Sequence, residues 1–303
     1  MAHIFGVDIG GTKIAVAAVS LRGEILARTE IETRAAEGAP RVLARLCDAL
    51  HSLQREDELL GIGIGCTGPV DPRTGHVRNP YTLPTWDDVD IVSPLAQEFH
   101  TRVVLENDCD AAALGEHWMG NARGADNAVY ITVGTGIGAG LIFNNKLYRG
   151  VGMTAGEIGH MTIEHDGVPC YCGARGCLEM LAAGPAIARA YEIKTGARSI
   201  TAREVMERAR RGDANAHAVM EQTAYYLGVG LANLITLLVP NMIVLGGGVM
   251  QHFDLFYPTM RATITKNATL VPSTQVKIVP AALGQNAGVI GAAKALLERM
   301  DNE

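Results

Sequence analysis

No strong charge of either sign marks this sequence: 26 Lys and Arg against 32 Asp and Glu leave a formal net charge of −6 over 303 residues. So even a balance offers no field that recruits nucleic acid or an anionic membrane, and a phosphorylated ligand would need a local site. No basic-then-apolar leader opens the chain, because Ile4 to Val7 runs at once into Asp8; secretion is not expected. No uninterrupted apolar stretch of membrane-spanning length is present either. The longest apolar region, Leu231 to Met250, is broken by Asn233, Pro240 and Asn241 and reads as a helix end, a turn and a buried strand. Cysteine is sparse, and Cys47, Cys66 and Cys109 are scattered, which argues against a disulfide framework and for the reducing cytoplasm.

The remaining three cysteines, Cys170, Cys172 and Cys177, crowd into one Gly-rich loop with His160 and His165 close by in the chain. Three thiolates and one imidazole complete a four-coordinate Zn²⁺ site with no open position for water, so the metal would be structural. Pro169, Gly173 and Gly176 supply the sharp turns that several ligands on one loop require. Ordinary buried thiols are the alternative, but Cys-x-Cys-x₄-Cys is tighter than core packing needs. Glu157 and Glu179 flank the loop, and a bound metal would hold both carboxylates still.

At 48% hydrophobic residues and 35 glycines the chain suits a globular α/β protein of one large domain or two ordinary ones. A repeat favours two. An apolar strand (Ile4–Val7), a turn (Asp8 to Lys13, including Gly10, Gly11 and Thr12), a second strand (Ile14–Val19) and a bend at Arg22-Gly23 recur later. The second copy is Val129–Val133, a turn over Gly134, Thr135, Gly136, Ile137 and Gly138, a return strand Ala139–Phe143 and a bend at Asn144-Asn145. Aligning Gly11-Thr12 on Gly134-Thr135 keeps Ile14, Val16 and Val19 in phase with Ile137, Ala139 and Ile142. Each turn taken singly is an ordinary hairpin bend. Paired, their backbone N–H groups and Thr hydroxyls would clamp a polyphosphate. Neither is a Walker loop or a dinucleotide fingerprint, since each leads into a strand rather than a helix.

Gly246, Gly247 and Gly248 close the apolar strand Met242–Leu245, where bare backbone lets a base or ribose lie flat. Between the two hairpins, the strand Val103–Leu105 stops at Glu106-Asn107-Asp108 ahead of an Ala-rich helix, Cys109–Met119. Asn107 and Asp108 are good helix caps. An Asp at a strand's end is also placed to take the proton of a substrate hydroxyl during phosphoryl transfer.

Asp8-Ile-Gly-Gly-Thr-Lys13, Glu106-Asn-Asp108, Gly134-Thr-Gly-Ile-Gly138, Glu157-Ile-Gly-His160, Cys170-x-Cys-Gly-x₂-Gly-Cys-x-Glu179 and Val244-Leu-Gly-Gly-Gly-Val249 together resemble the ROK family of sugar kinases and repressors, from residue 4 to about residue 293. The resemblance implies an α/β, duplicated actin-like (ribonuclease H-like) ATPase fold of two domains with a central cleft, in homodimers. Residues 1–119, completed by a C-terminal helix at about 287–303, would form the smaller domain; residues 120–286 would carry the zinc loop and nucleotide site. ATP with Mg²⁺ is the implied phosphoryl donor, polyphosphate remaining open.

By the same resemblance Asp108 is the catalytic base, and Asn107, Glu157, His160 and Glu179 are sugar ligands, with Gly68 in a turn near the sugar. His160 becomes the zinc ligand in preference to His165, and Asp8 orients the waters of the metal. Lys13 would offset charge as the phosphoryl group moves. The loop Asn79–Trp86 is read as lying over the pocket, with Trp86 as packing. The expected activity is phosphorylation of a hexose 6-hydroxyl, glucose first, with fructose, mannose, N-acetylglucosamine or N-acetylmannosamine as alternatives. A sugar-responsive repressor is the rival class; its helix-turn-helix would precede the first hairpin, where only Met1-Ala2-His3 stand.

Overall fold

In the computed structural model, which describes residues 2–301, the chain opens with three antiparallel strands, β1 (Ala2–Ile9), β2 (Lys13–Ser20) and β3 (Ile25–Glu32). Helix α1 (Ala39–Ser52) leads to β4 (Glu58–Cys66), parallel to β1. Three short strands, β5 (Val70–Asp71), β6 (His76–Val77) and β7 (Val89–Asp90), form a small sheet of their own. Helix α2 (Val92–Phe99), β8 (Val103–Asn107), parallel to β4, and helix α3 (Asp108–Met119) follow.

The plan then repeats. The second sheet is built from β9 (Ala128–Val133), β10 (Ile137–Phe143), β11 (Lys146–Leu147), β12 (Met242–Gly246) and β13 (Lys277–Pro280). Helices α4 (Leu178–Ala182), α5 (Gly184–Thr195), α6 (Ala202–Arg210) and α7 (Ala214–Leu238) precede β12, and α8 (Phe253–Asn267) links β12 to β13. Helix α9 (Ala287–Asp301) is the last element among the described residues. The orders β3-β2-β1-β4-β8 and β11-β10-β9-β12-β13 are the same order written twice, which is the structural form of the repeated hairpin. The chain separates into two compact units, one of Met1–Ala125, Gly140–Ala155 and Ala282–Glu303, the other of Asp126–Ala139 and Gly156–Ala281. Among the described residues no helix is long and apolar enough to cross a membrane.

In the first unit, β1 and β2 are covered on both faces, which is why they read as continuous apolar runs. Phe5, Val7, Ile9, Ile14 and Val16 pack with Val42, Leu46 and Leu50 of α1. Ile4, Ala15, Ala17 and Val19 pack with Val289, Ile290, Ala293 and Leu296 of α9. On this second face α9 comes down to the backbone itself. A Cβ at Gly6 would stand 1.9 Å from the Val289 carbonyl oxygen, and one at Gly63 would stand 1.8 Å from that of Ala292. Helix α3 fits α9 the same way, a Cβ at Gly291 falling 1.5 Å from the Ala111 carbonyl oxygen. The helix can lie so close only because no side chains intervene.

The strands run further than the apolar stretches of the sequence. The ladder pairs Asp8 with Ala15 and Ile9 with Ile14, so Asp8 belongs to β1 and the turn shrinks to Gly10–Thr12. In the second hairpin β10 begins at Ile137, so Gly138 lies in a strand and the turn is Gly134–Gly136. Hydrogen bonding extends each strand until geometry forbids it, and polar or glycine residues do not by themselves end it.

Candidate functional site

The β8–α3 junction holds the first cluster. Asn107 is extended and caps α3, its Oδ1 accepting the N–H of Cys109 at 2.8 Å and of Asp110 at 3.4 Å. Asp108 is the first residue of the helix, and its Oδ1 also accepts the Cys109 N–H, at 2.8 Å. A carboxylate at a helix N-terminus meets the positive end of the helix dipole. Burial nevertheless prevails and raises the Asp108 carboxyl above the ordinary Asp value, against those hydrogen bonds. The Nδ2 of Asn107 points at Gly68, where a Cβ would sit 2.8 Å away. Capping and ligand binding are therefore compatible at Asn107: one end of the amide serves the helix, and the other faces a glycine.

Asp8 reaches the same corner from β1. Burial, and then the charge of Asp108, push its carboxyl up to about 7, while Lys13 and Arg28 work in the opposite sense. Its Oδ2 lies against the first turn of α9, where a Cβ at Gly288 would come within 2.4 Å. The Lys13 ammonium stands 3.2 Å from Glu30 and 3.4 Å from Gln285 Oε1. A buried carboxyl held protonated by burial and by a neighbouring carboxylate is one whose charge a divalent cation would stabilise. The Gly10 N–H closes its own turn on the Lys13 carbonyl at 3.0 Å, and Thr33 Oγ1 donates to the Gly10 carbonyl at 2.6 Å. Thr12 is exposed. Thr82, from the loop Asn79–Trp86, lies against Gly11, where a Cβ would meet its Cγ2 at 2.7 Å; Trp86 is wholly buried and packs.

In the second unit the turn at Gly134–Gly136 is closed by the Gly134 N–H on the Gly136 carbonyl at 2.9 Å, one residue tighter than its counterpart. Glu179, in the first turn of α4, accepts the Ile137 N–H through Oε2 at 2.8 Å. Thr135 is exposed and Gly138 is half-buried within β10. Gly246 ends β12 against Tyr130, and Gly247 has φ +87° and comes within 2.4 Å of the Val133 carbonyl oxygen as measured from an added Cβ. Nothing lies within 4 Å of a Cβ at Gly248, which opens to solvent. Glu157 is exposed and begins the short turn of helix at Ile158–His160.

His160, Cys170, Cys172 and Cys177 converge, with one donor atom from each lying within 4.8 Å of all the others. Tetrahedral zinc with Zn–S near 2.3 Å and Zn–N near 2.0 Å places sulfurs about 3.8 Å apart and sulfur and nitrogen about 3.5 Å apart. The Cys172–Cys177 sulfurs are 3.7 Å apart, and Cys170 Sγ is 3.6 Å from His160 Nδ1. The donor set and its spacing fit zinc. His165 is excluded as the fourth ligand, its side chain being 95% exposed and paired with Asp166 at 3.0 Å. Nε2 of His160 faces away from the sulfurs and meets the Tyr171 hydroxyl at 3.3 Å, the two rings edge to face at 5.2 Å.

Four neighbours of these groups carry no signal in the sequence. Tyr171 is the variable residue of Cys-x-Cys and carries no signal of its own. Gly288 and Gly291 belong to α9 and gain meaning only from what they lie against, Asp8 at Gly288 and Ala111 of α3 at Gly291. Arg149 stands alone in sequence, yet its guanidinium is bidentate to buried Glu106.

A model described as the ROK family matches residues 4–299. The glucokinase of Halalkalibacterium halodurans is 37% identical to this chain over 94% of it and 92% of the glucokinase. The xylose repressor of Bacillus subtilis is 29% identical, over 97% of this chain and 76% of the repressor. The crystal structure of a ROK family glucokinase from Streptomyces griseus, in complex with glucose and AMPPNP, matches with a TM-score of 0.84 at 32% identity, covering 97% of this chain and 98% of that one. The two five-stranded mixed sheets are thus those of a duplicated, actin-like ATPase fold.

Proposed function

This chain belongs to the ROK family, and on that premise we propose that it is a sugar kinase, moving the γ-phosphoryl group of ATP to the 6-hydroxyl of glucose. The observation that carries the reading is Asp108: a half-buried carboxylate at a strand-to-helix junction, beside Asn107 and Gly68 and electrostatically coupled to Asp8. The likeness to proteins named glucokinase, one of them solved with glucose and an ATP analogue, supports both substrates.

In this reading the Asp108 carboxylate accepts the proton of the sugar O6–H. The freed oxygen forms a bond to the γ-phosphorus as the bond from that phosphorus to the β,γ-bridging oxygen breaks, and ADP departs with the electron pair. Asn107, Glu157, His160 and Glu179 hold the hydroxyls of the sugar; leaving one of these groups unpaired once the sugar covers it costs about 1–3 kcal/mol, which is the basis of selectivity. Amides of Gly11, Thr12, Thr135 and Gly136 and the Lys13 ammonium meet phosphate oxygens, with Gly246–Gly248 against the nucleoside. Mg²⁺ arriving with ATP would supply charge neutralisation, and Asp8 is the residue to hold it or its waters. Zinc at His160, Cys170, Cys172 and Cys177 is structural in this reading, its four positions being filled by protein.

The test is coupled ADP release with Mg²⁺-ATP against glucose, fructose, mannose, N-acetylglucosamine and N-acetylmannosamine, with a blank lacking sugar. Turnover selective for glucose is expected. Turnover with another of these sugars keeps the kinase and changes its substrate. Sugar binding without ADP release favours a sugar-responsive regulator, the class to which the Bacillus subtilis relative's name points.

A further inference from the structure

Arg149 lies two residues beyond β11 and belongs to none of the motifs assigned above. Its Nε donates to both Glu106 carboxylate oxygens at 3.1 Å, and its Nη2 donates to Oε1 at 2.7 Å. Glu106 is 1% exposed, and the Arg149 side chain is 21% exposed. Such a two-pronged, charge-assisted pair fixes direction as well as distance. Glu106 is the penultimate residue of β8, directly before Asn107 and Asp108.

Arg149 also begins a strap. The Ala155 N–H donates to its carbonyl at 3.0 Å, and Gly150, Gly152 and Met153 take positive φ values of 67°, 73° and 63°. Val151–Met153 packs on β5, which starts two residues after Gly68. From Ala155 the chain passes straight into Gly156 and Glu157. One guanidinium therefore ties the strand end bearing the proposed base to the segment that leads into a proposed sugar ligand.

We infer that Arg149 is a positioning residue for phosphoryl transfer, acting through Glu106 on Asn107 and Asp108 and through the strap on Glu157. This rests on the kinase reading of the site. The charges around it give the inference a distinctive signature. Asp110 and Glu298 also face Arg149, and the Arg299 guanidinium lies 3.6 Å from Glu106. Asp108 is faced in turn by Asp8, which Lys13 and Arg28 partly offset. Without the Arg149 charge, Glu106 and Asp110, each two residues from Asp108, are left less compensated, and their field makes Asp108 harder to ionise.

Arg149→Lys keeps the charge and loses the fork; Arg149→Met loses both. Both variants are to be compared with the wild type by kcat and KM across pH, and by hydrogen exchange over residues 106–112 and 149–156. Arg149→Lys should lower kcat by about tenfold to a hundredfold, the cost of a displaced reacting group, with its acid limb where the wild type has it. Arg149→Met should lower kcat at least as far and move the acid limb to higher pH. Both should raise the sugar KM more than the ATP KM and lose exchange protection in the two segments together. Wild-type kcat in Arg149→Met, or a loss that follows only the folded fraction with no shift of the limb, overturns the inference. If the wild type itself phosphorylates no sugar, the kinase reading falls by that result, and the exchange data decide the anchoring: joint loss of protection sustains it and unchanged protection ends it.

Discussion

Glu179 Oε2 accepts the backbone N–H of Ile137 at 2.8 Å, so helix α4, directly after Cys177, is bonded to the first residue of β10, beside the glycine turn of the second hairpin. The approach depends on Gly136, where a Cβ would fall 2.5 Å from the same oxygen. One carboxylate thus serves a turn assigned to phosphate and a pocket assigned to sugar. Gly136→Ala should push Glu179 off the turn and lower kcat/KM by about tenfold or more, the scale of a misplaced binding group, while zinc content stays at one per chain. At Gly134 an added methyl meets nothing within 4 Å, so Gly134→Ala should melt as the wild type does. Steady-state kinetics, metal analysis and calorimetry of the pair check this; a Gly136→Ala enzyme with normal kcat/KM would remove the coupling.

Asp108→Asn tests the base without disturbing the cap. The asparagine oxygen can still accept the Cys109 N–H that Asp108 accepts at 2.8 Å, so the helix start survives while the proton acceptor is lost. Loss of a general base costs about 10²–10⁴ in rate, and kcat should fall by that factor with sugar KM within a few-fold of normal. A variant retaining more than a tenth of wild-type kcat would show that another group takes the proton.

The Asp8–Asp108 pair sets a pH dependence of definite sign. Asp8 titrates at 3.8 when unperturbed and is pushed up to about 7 in the fold, so between those values the native state holds a proton that the unfolded chain has released. Stability from this group is full below about pH 4 and is lost as pH rises through 7, at up to ~1.4 kcal/mol per unit. Asp108 is also raised and acts in the same sense. Without added metal, Tm should therefore fall between pH 5 and 8, and Asp8→Asn should flatten that fall. Equal slopes in the two proteins would mean that Asp8 is ionised throughout.

Local patterns were the legible part of this chain. The glycine hairpins, the Asn107-Asp108 helix start and the zinc loop each lie within a short run of sequence, where spacing alone restricts geometry. Spacing alone leaves His160 and His165 both in reach of the cysteines; the resemblance of Glu157-Ile-Gly-His160 selects His160, and the fold agrees, gathering it with the three thiols while the His165 side chain stays 95% exposed. Pairings across the chain left no local trace: Arg149 and Glu106 are 43 residues apart, and neither residue type announces the other. The glycines of β4 and α9 are visible but mute, because Gly61 and Gly63 have meaning only beside Leu296 and Ala292 of α9, and Gly291 only beside Ala111 of α3.

Removing zinc should reach the sugar before it reaches the core. Cys172 is exposed, whereas Cys170 and Cys177 are buried, so Cys172→Ser opens the site with little loss of packing. The loop between His160 and Cys177 is joined by its own backbone bonds, such as Cys170 N–H to the Ala174 carbonyl at 2.8 Å and Gly176 N–H to the Val168 carbonyl at 2.8 Å; the metal would add to the ties that Tyr171 and the Leu178 N–H to Met161 carbonyl bond already make between that loop and the His160 segment. Binding free energy at such a site is folding free energy for the segment it closes. The Cys172→Ser protein should contain less than a tenth of an equivalent of zinc, bind sugar at least tenfold more weakly by calorimetry, and keep the far-ultraviolet dichroism of the wild type, because neither five-stranded sheet takes a strand from the loop. Wild-type sugar affinity in zinc-free protein would show that Glu157, His160 and Glu179 are placed by the chain alone, and the metal would lose its role in orienting them.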